Sequence, residues 1–192
     1  ECHDIYFYDG NFHGNDRYVD CFKVEKFACN LYLGKSLIDV YLYWDDYNEE
    51  GIVYPGTSTI RLTYYSNDIR RFRNYANQEY YNLEFIDSVG ECILRGKGKF
   101  NKVLCNNNIF IEESNEIDSL ILSAGHEFTI SSNSSQTITE HWLARGNQCF
   151  PIVVNSSNKD EEAEFIMEEG IVSGDFLELQ DIHVVGNATF YT

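Results

Sequence analysis

The sequence has little of what nucleic-acid-binding and membrane proteins usually contain. It has 2 prolines, 1 methionine and only 14 basic residues against 31 acidic ones, which gives a formal net charge of -17. This excess of negative charge disfavours nucleic acid and anionic membrane surfaces, because both attract basic patches. No apolar run approaches the roughly 18 residues of a membrane-spanning helix. We therefore expect no nucleic-acid partner and no membrane insertion, while a basic protein partner is compatible with the charge.

Catalytic and metal-binding motifs are also missing. The chain has no GxSxG or HExxH motif. The segment that begins at Asp46 starts like a calcium loop, but Glu50 stands at position five and Thr57 replaces the bidentate glutamate at position twelve. The acidic residues are so numerous that no chosen carboxylate pair indicates glycoside hydrolysis. The sequence therefore predicts a protein that is not an enzyme and that uses no cofactor or metal.

The cysteines and glycosylation sequons favour the secretory pathway. Six dispersed cysteines without a CxxC pair predict three disulfide bonds in an oxidising compartment. The cysteines are Cys2, Cys21, Cys29, Cys92, Cys105 and Cys149. We expect the pairs Cys92–Cys105, Cys21–Cys29 and Cys2–Cys149. Sequons occur at Asn133, Asn155 and Asn187, and the chain begins at Glu1 as a mature protein does after signal cleavage. The expected location is outside the cell or in the ER lumen.

Alternating apolar and polar residues predict β-strands. Ile38, Val40, Leu42 and Trp44 fall on one side of the segment Leu37–Trp44, and Thr57–Tyr65 alternates in the same way. Joined by the acidic segment Asp45–Gly56, the two runs are typical of an antiparallel hairpin whose apolar face includes Trp44 in the core. Residues Gly96–Lys99 predict a second hairpin turn.

The remaining chain predicts many short strands and one or two short helices. Ser66–Asn77 is a candidate for a brief helical turn, and Ser157–Gly170 is the better helix candidate because acidic residues crowd its start. The alternative is that residues 163–167 form one more strand. Residues 1–192 are therefore expected to form a single secreted domain, a disulfide-bonded antiparallel β-sandwich.

The candidate binding surface lies on the polar face of the first hairpin. Tyrosine and arginine are typical anchors of protein interfaces, and the first third of the chain carries no sequon, so no glycan would cover a partner there. The predicted partner-binding residues are Asp39, Tyr41, Tyr43, Asp45, Asp46, Arg61 and Tyr65. The alternative is that another sheet or a loop covers these tyrosines.

The acidic balance, six cysteines, three sequons and runs rich in Asn and Ile, such as Cys105–Asn108 and Ile109–Glu112, resemble the secreted poxvirus immune-evasion glycoproteins. The resemblance implies a viral β-sandwich that binds a host immune protein of the chemokine, cytokine or MHC class I type. It assigns no individual binding residue. The alternatives are a lipocalin-like carrier of a small ligand and, less favoured, a glycan-acting enzyme.

Overall fold

The computed structural model of the protein describes residues 2–47, 50–63, 69–86 and 90–191. Over these residues the chain winds into a parallel β-solenoid of about eight turns without a helix. A strand inside the stack lies beside a strand of the previous turn and a strand of the next, so that Ile38 lies opposite Ile60 and Ile60 opposite Leu83. Neighbouring strands are about 4.8 Å apart, which makes the solenoid roughly 40 Å long.

The solenoid contains the following strands: β1 (Cys2–Phe7), β2 (Asn11–His13), β3 (Tyr18–Lys26), β4 (Asn30–Tyr32), β5 (Leu37–Asp46), β6 (Val53–Tyr54), β7 (Thr59–Leu62), β8 (Arg70–Asn74), β9 (Glu79–Phe85), β10 (Cys92–Gly96), β11 (Lys99–Cys105), β12 (Ile109–Ile111), β13 (Asn115–Leu122), β14 (Glu127–Ile130), β15 (Ser135–Arg145), β16 (Ile152–Ser156), β17 (Ala163–Met167), β18 (Ile171–Asp175), β19 (Leu177–Gln180), β20 (Ile182–Gly186) and β21 (Thr189–Tyr191).

The strands stack into three sides. The first side contains the beginnings of β3 and β5, followed by β7, β9, β11, β13 and β15. The second side contains β1, the ends of β3 and β5, and then β8, β10, β12, β14, β16 and β19. The third side is a separate sheet of β2, β4 and β6. The long strand β15 pairs with two strands of the next turn, its first half with β17 and its second half with β18. Strands β17 and β18 pair in turn with β20 and β21.

Strand β5 connects the first two sides. Residues 37–40 pair with β7, whereas residues 43–46 pair with β8. An irregularity at this bend, between Val40 and Tyr43 on β5, interrupts the simple alternation that the sequence predicts.

The third side stops after β6. Only residues 75–78 connect β8 to β9, and only residues 97–98 connect β10 to β11. The cross-section therefore narrows from three sides to two as the chain leaves the third turn.

The core consists of inward side chains stacked from turn to turn. One such stack on the first side is Val19, Ile38, Ile60, Leu83, Val103, Leu120, Trp142 and Val172. Trp44 is 1% exposed and stacks on Phe72, which confirms its predicted place in the core. Each large apolar side chain buried in this way stabilises the fold by about 1.5–3 kcal/mol.

The predicted antiparallel β-sandwich is wrong. Strands β5 and β7 are neighbours, but they run parallel, with Asp39 opposite Arg61. Around Gly96–Lys99, β10 and β11 do not form a hairpin, because β10 pairs with β8 and β12 while β11 pairs with β9 and β13. Alternation reveals which side chains point inward, but it contains no information on the direction of the neighbouring strand.

The predicted helices are also wrong. Within Ser157–Gly170, the chain forms β17, whose residues Ala163, Phe165 and Met167 are buried. This confirms the alternative strand at residues 163–167. Within Ser66–Asn77, residues 70–74 form β8, and residues 64–68 lie outside the described residues.

No disulfide bond joins the described side chains, so the prediction of a disulfide-bonded fold is also wrong. Cys29 and Cys105 are buried thiols and Cys149 is an exposed thiol, which excludes all three expected pairs. Cys92 and Cys105 do not face each other across a hairpin, because β10 and β11 belong to different sides of the solenoid. Burial raises the pKa of the Cys105 thiol above its usual value. The side chain of Cys2 lies outside the described part of the chain.

Candidate binding surface

A line of aromatic side chains runs along the edge where the second side ends. Tyr8, Phe27, Tyr47 and Tyr75 directly follow β1, β3, β5 and β8, and each lies one turn from the next. Their ring centroids are 5.0, 5.3 and 6.2 Å apart, with interplanar angles of 7°, 21° and 27°. Tyr6 stacks on Tyr8 at 6.0 Å. We call these five residues the aromatic corner.

The aromatic corner is accessible to solvent. The side chain of Tyr8 is 65% exposed and that of Tyr47 is 39% exposed. Because consecutive rings cover much of each other's faces, the stack presents ring edges and hydroxyl groups to a partner. Contiguous exposed aromatic residues of this kind mark interaction sites more often than isolated ones do.

Charged residues on the outside of the second side border the aromatic corner. Asp45 is central to this group, because its buried carboxylate accepts hydrogen bonds from Arg71 Nη2 at 3.1 Å, Arg73 Nη1 at 3.4 Å and Tyr47 Oη at 2.9 Å. The guanidinium of Arg71 lies 4.1 Å from the centre of the Tyr43 ring. The Tyr43 hydroxyl donates to Glu25 at 2.7 Å. The tyrosines and arginines are therefore held in fixed positions before any partner binds.

Burial and hydrogen bonding shift the pKa values of titratable groups on this surface. Burial, together with the hydrogen bond to Asp45, raises the pKa of Tyr47 to about 12. Hydrogen bonding to Tyr6 and Tyr43 raises the pKa of Lys23 above its usual value. At neutral pH the surface therefore offers an uncharged Tyr47 hydroxyl and a positively charged Lys23.

A second polar cluster lies on the outside of the first side. Arg61 donates two hydrogen bonds of 2.7 Å to Asp39, from Nε to Oδ1 and from Nη2 to Oδ2. The Tyr18 hydroxyl donates to Asp39 at 2.9 Å. A hydrogen bond to Asp20 raises the pKa of Tyr41 in the same region. Both carboxylates accept hydrogen bonds from side chains of the same chain, so this cluster holds neighbouring turns together.

The structure separates the residues that the sequence placed in one binding site. Tyr43 and Asp45 border the aromatic corner, whereas Asp39, Tyr41 and Arg61 belong to the cluster of the first side. The side chains of Asp39 and Asp45 are 8% and 0% exposed, because their own chain covers them. Asp46 points into the interior, where it meets Lys26. Tyr65 lies outside the described residues.

Sequence reasoning missed all five residues of the aromatic corner. The available signal was an aromatic residue directly after β1, β3, β5 and β8, at spacings of 19, 20 and 28 residues, from 8 to 27, 47 and 75. These spacings are unequal, so the recurrence is visible only once the turns are known.

Other surfaces have fewer features of a binding site. On the third side, His13, Tyr32 and Tyr54 stack at 4.6 and 4.5 Å, so that Tyr32 is flanked by a ring on both sides. Within the described part of the chain, no group of three or more His, Cys, Asp or Glu side chains is placed to hold a metal ion. The same residues contain no helix of the length and apolar character that crossing a membrane requires.

The protein is therefore a parallel β-solenoid with the exposed aromatic corner along one of its edges. No known protein-family model, curated protein or solved structure matches the chain.

Proposed function

We propose that the protein is a non-catalytic binding module that holds a partner protein against the aromatic corner. The observation that supports this most is the exposed stack Tyr8–Phe27–Tyr47–Tyr75 beside ordered arginines. Tyrosine and arginine are enriched among the residues that dominate the free energy of protein association. Their fixed positions reduce the side-chain entropy that binding would otherwise cost.

The ring geometry favours a protein over a polysaccharide. A sugar ring binds an aromatic side chain by lying flat on an open ring face, but the rings of Phe27 and Tyr47 are covered on both sides by their neighbours. Ring edges and hydroxyl groups suit the side chains and backbone of a protein. Because the chain has a net charge of -17, a basic partner would associate faster than a neutral one.

The location and the kind of partner are further parts of this proposal. Asn133 and Asn187 are exposed sequons, which supports secretion, whereas the thiols of Cys29, Cys105 and Cys149 remove the argument from disulfide bonds. A host immune protein as the partner stays a prediction that depends on the sequence resemblance alone.

A lipocalin-like carrier has less support. The hollow inside the first turns, lined by residues that include Phe7, Phe12 and Trp44, has a volume of about 10 Å³. This is barely the space of one water molecule. The interior of these turns is filled by side chains and leaves no room for a ligand.

The test is a binding screen against basic chemokines and cytokines at low salt, with a glycan array as a parallel arm. For any protein that binds, the double variant Tyr47→Ala/Tyr75→Ala should lose roughly 2 kcal/mol or more, which is about 30-fold in Kd. The control is Tyr191→Ala, which removes a tyrosine that is 56% exposed on β21, far from the aromatic corner in the sequence. The melting temperature of each variant is measured alongside.

Absence of binding to every protein of the screen at low salt would count against the proposal, and so would an equal loss in Tyr191→Ala. If the protein bound only to the glycan array, the partner would be a carbohydrate and not a protein. If Tyr43→Ala lowers the melting temperature but leaves the affinity of the folded protein unchanged, Tyr43 belongs to the scaffold and not to the site.

A further inference from the structure

A lysine and an aspartate meet in the interior of the solenoid. Lys26 ends β3 and Asp46 ends β5, and the two residues are opposite each other in neighbouring turns. Both side chains are 0% exposed, and Lys26 Nζ lies 3.0 Å from Asp46 Oδ1. Burying two charges is costly even when they are paired, so this placement is unusual for a lysine.

The aspartate is held by a second hydrogen bond from the opposite side. The Tyr80 hydroxyl donates to Asp46 Oδ2 at 2.8 Å, and Trp44 Nε1 donates to the Tyr80 oxygen at 3.1 Å. Lys26 Nζ also donates to the carbonyl oxygen of Gly51 at 3.1 Å. The amine therefore meets one carboxyl oxygen while a buried hydroxyl group polarises the other.

The surroundings of the pair are apolar and closed to water. The rings of Trp44, Phe72 and Tyr80 pack against one another beside the pair, with centroids 4.9 to 6.2 Å apart. Bulk water therefore does not separate the two side chains, which are both 0% exposed. The proton can pass from Nζ to Oδ1 along the hydrogen bond that already joins them.

We propose that Lys26 and Asp46 condense to an isopeptide bond that links the second turn to the third. The Nζ lone pair attacks Asp46 Cγ, and a C–N bond forms while negative charge collects on Oδ2, where the Tyr80 hydroxyl stabilises it. A proton then moves from the nitrogen to the Oδ1 hydroxyl, the Cγ–Oδ1 bond breaks, and one water leaves. The product is a secondary amide that retains Oδ2 as its carbonyl oxygen, and the reaction needs no oxidant or external group.

The fold positions the two groups for this reaction. Lys26 and Asp46 are fixed on adjacent in-register strands, so the reacting atoms are held close together before reaction. Such positioning converts a bimolecular condensation into an intramolecular one, which is a large part of many catalysed rate enhancements. The linkage does not depend on the proposed binding function, although it would anchor the strands that carry Phe27 and Tyr47.

The experiment is the intact mass of the denatured full chain after prolonged incubation in the folded state at neutral pH. We expect the sequence mass minus one water, and a branched peptide joining Lys26 to Asp46 in tandem mass spectrometry of a digest. In Asp46→Asn, the same link would form with release of ammonia and give a product identical to the linked wild type. Tyr80→Phe, which keeps the ring, should link more slowly by about 10²-fold or more.

Lys26→Arg is the matched control, because it keeps a cation that forms no such amide. A water loss that persists in Lys26→Arg, or that maps to other residues, would overturn the proposal. Wild-type protein at its full sequence mass, without the branched peptide, would overturn it as well and leave Lys26 and Asp46 as an ordinary buried ion pair. Since the wild-type measurement alone decides, a variant that fails to fold does not weaken the test.

Discussion

Arg61 on β7 lies directly opposite Asp39 on β5 of the preceding turn. Its guanidinium donates two hydrogen bonds of 2.7 Å to the Asp39 carboxylate. Replacing Arg61 by Met would leave the Asp39 carboxylate without its cation, although Tyr18 would still donate to it. We expect a loss of about 1.5–3 kcal/mol in the free energy of unfolding, measured by chemical denaturation. Arg17→Met at an exposed position is the control, and an equal effect there would show that the pair contributes nothing specific.

Tyr47 should make stability depend on pH in the alkaline range. Its pKa in the folded protein is raised to about 12, by burial first and by the hydrogen bond to Asp45 second, whereas a tyrosine in the unfolded chain titrates near pH 10. Its contribution to stability is therefore fully present below about pH 10 and is lost as the pH rises through about 12.

The destabilisation caused by Tyr47→Phe should accordingly be larger near pH 8 than at the upper end of this range, as followed by denaturation midpoints. Tyr8→Phe, which changes a 65% exposed side chain, is the comparison. A difference between Tyr47→Phe and wild type that is constant with pH would refute the prediction.

Two glycines with the same backbone angle should respond differently to alanine. Gly10 and Gly96 both have φ of 90°, but a Cβ at Gly10 meets nothing within 4 Å, whereas a Cβ at Gly96 would collide with the backbone of Asn74 one turn away. Gly10→Ala should lower the free energy of unfolding by about 1–2 kcal/mol, because alanine is strained in this left-handed conformation. Gly96→Ala should cost clearly more, since backbone cannot move aside as a side chain can. Equal melting temperatures for the two variants would contradict the packing described between turns.

Gln78 should contribute more to the stability of the fold than a glutamine on the surface does. Its Oε1 accepts the backbone N–H of Val53 on β6 at 3.1 Å, and its own backbone N–H donates to Asn74 Oδ1 at 2.9 Å. Gln78→Ala would leave the Val53 N–H without this acceptor, and we expect a loss of about 1–3 kcal/mol in denaturation experiments. Gln180→Ala at an exposed position of β19 is the matched control. Similar losses in both variants would argue against a special role for Gln78.

Glycan occupancy should differ among the three sequons when the protein is expressed in a secretory host. Asn133 and Asn187 are exposed, whereas the Asn155 side chain is half-buried and its Nδ2, the atom that would carry a glycan, donates to Glu127 at 2.6 Å. Folded protein should therefore carry glycans at Asn133 and Asn187 and little at Asn155, as measured by peptide mass spectrometry. Full occupancy at Asn155 in folded protein would contradict the packing of this residue.

The sequence was sufficient to predict the β-structure but not the way in which the strands are arranged. Alternation places Ile38, Val40 and Trp44 inside, and the structure confirms this. The direction of pairing leaves no trace in the alternation, and the hairpin prediction depended only on two alternating runs that follow each other in the sequence, joined by the acidic segment Asp45–Gly56. Stacked residues are separated by unequal intervals, as in Ile38, Ile60, Leu83 and Val103, so no fixed repeat indicates a solenoid.

The residues of the candidate surface were predictable only in part for a related physical reason. Alternation along one strand predicts that Tyr43 faces outward, and Asp45 was expected in the acidic segment that follows. The structure places both residues beside the aromatic corner. Asp46 was expected beside Asp45 in an exposed acidic loop, but it is the last inward residue of the same strand, and the buried Lys26 satisfies it. Tyr8, Phe27 and Tyr75 join the surface only through contacts between turns, which no local pattern reveals.

The short third side has a consequence for association between molecules. A sheet that ends in an unpaired strand offers a row of free N–H and C=O groups on which another chain can add. Here β6 is only two residues long, and the side-chain amide of Gln78 occupies the position at Val53 where a further strand would bond. One glutamine thus closes the sheet at this point and protects it from strand addition and the aggregation that follows from it.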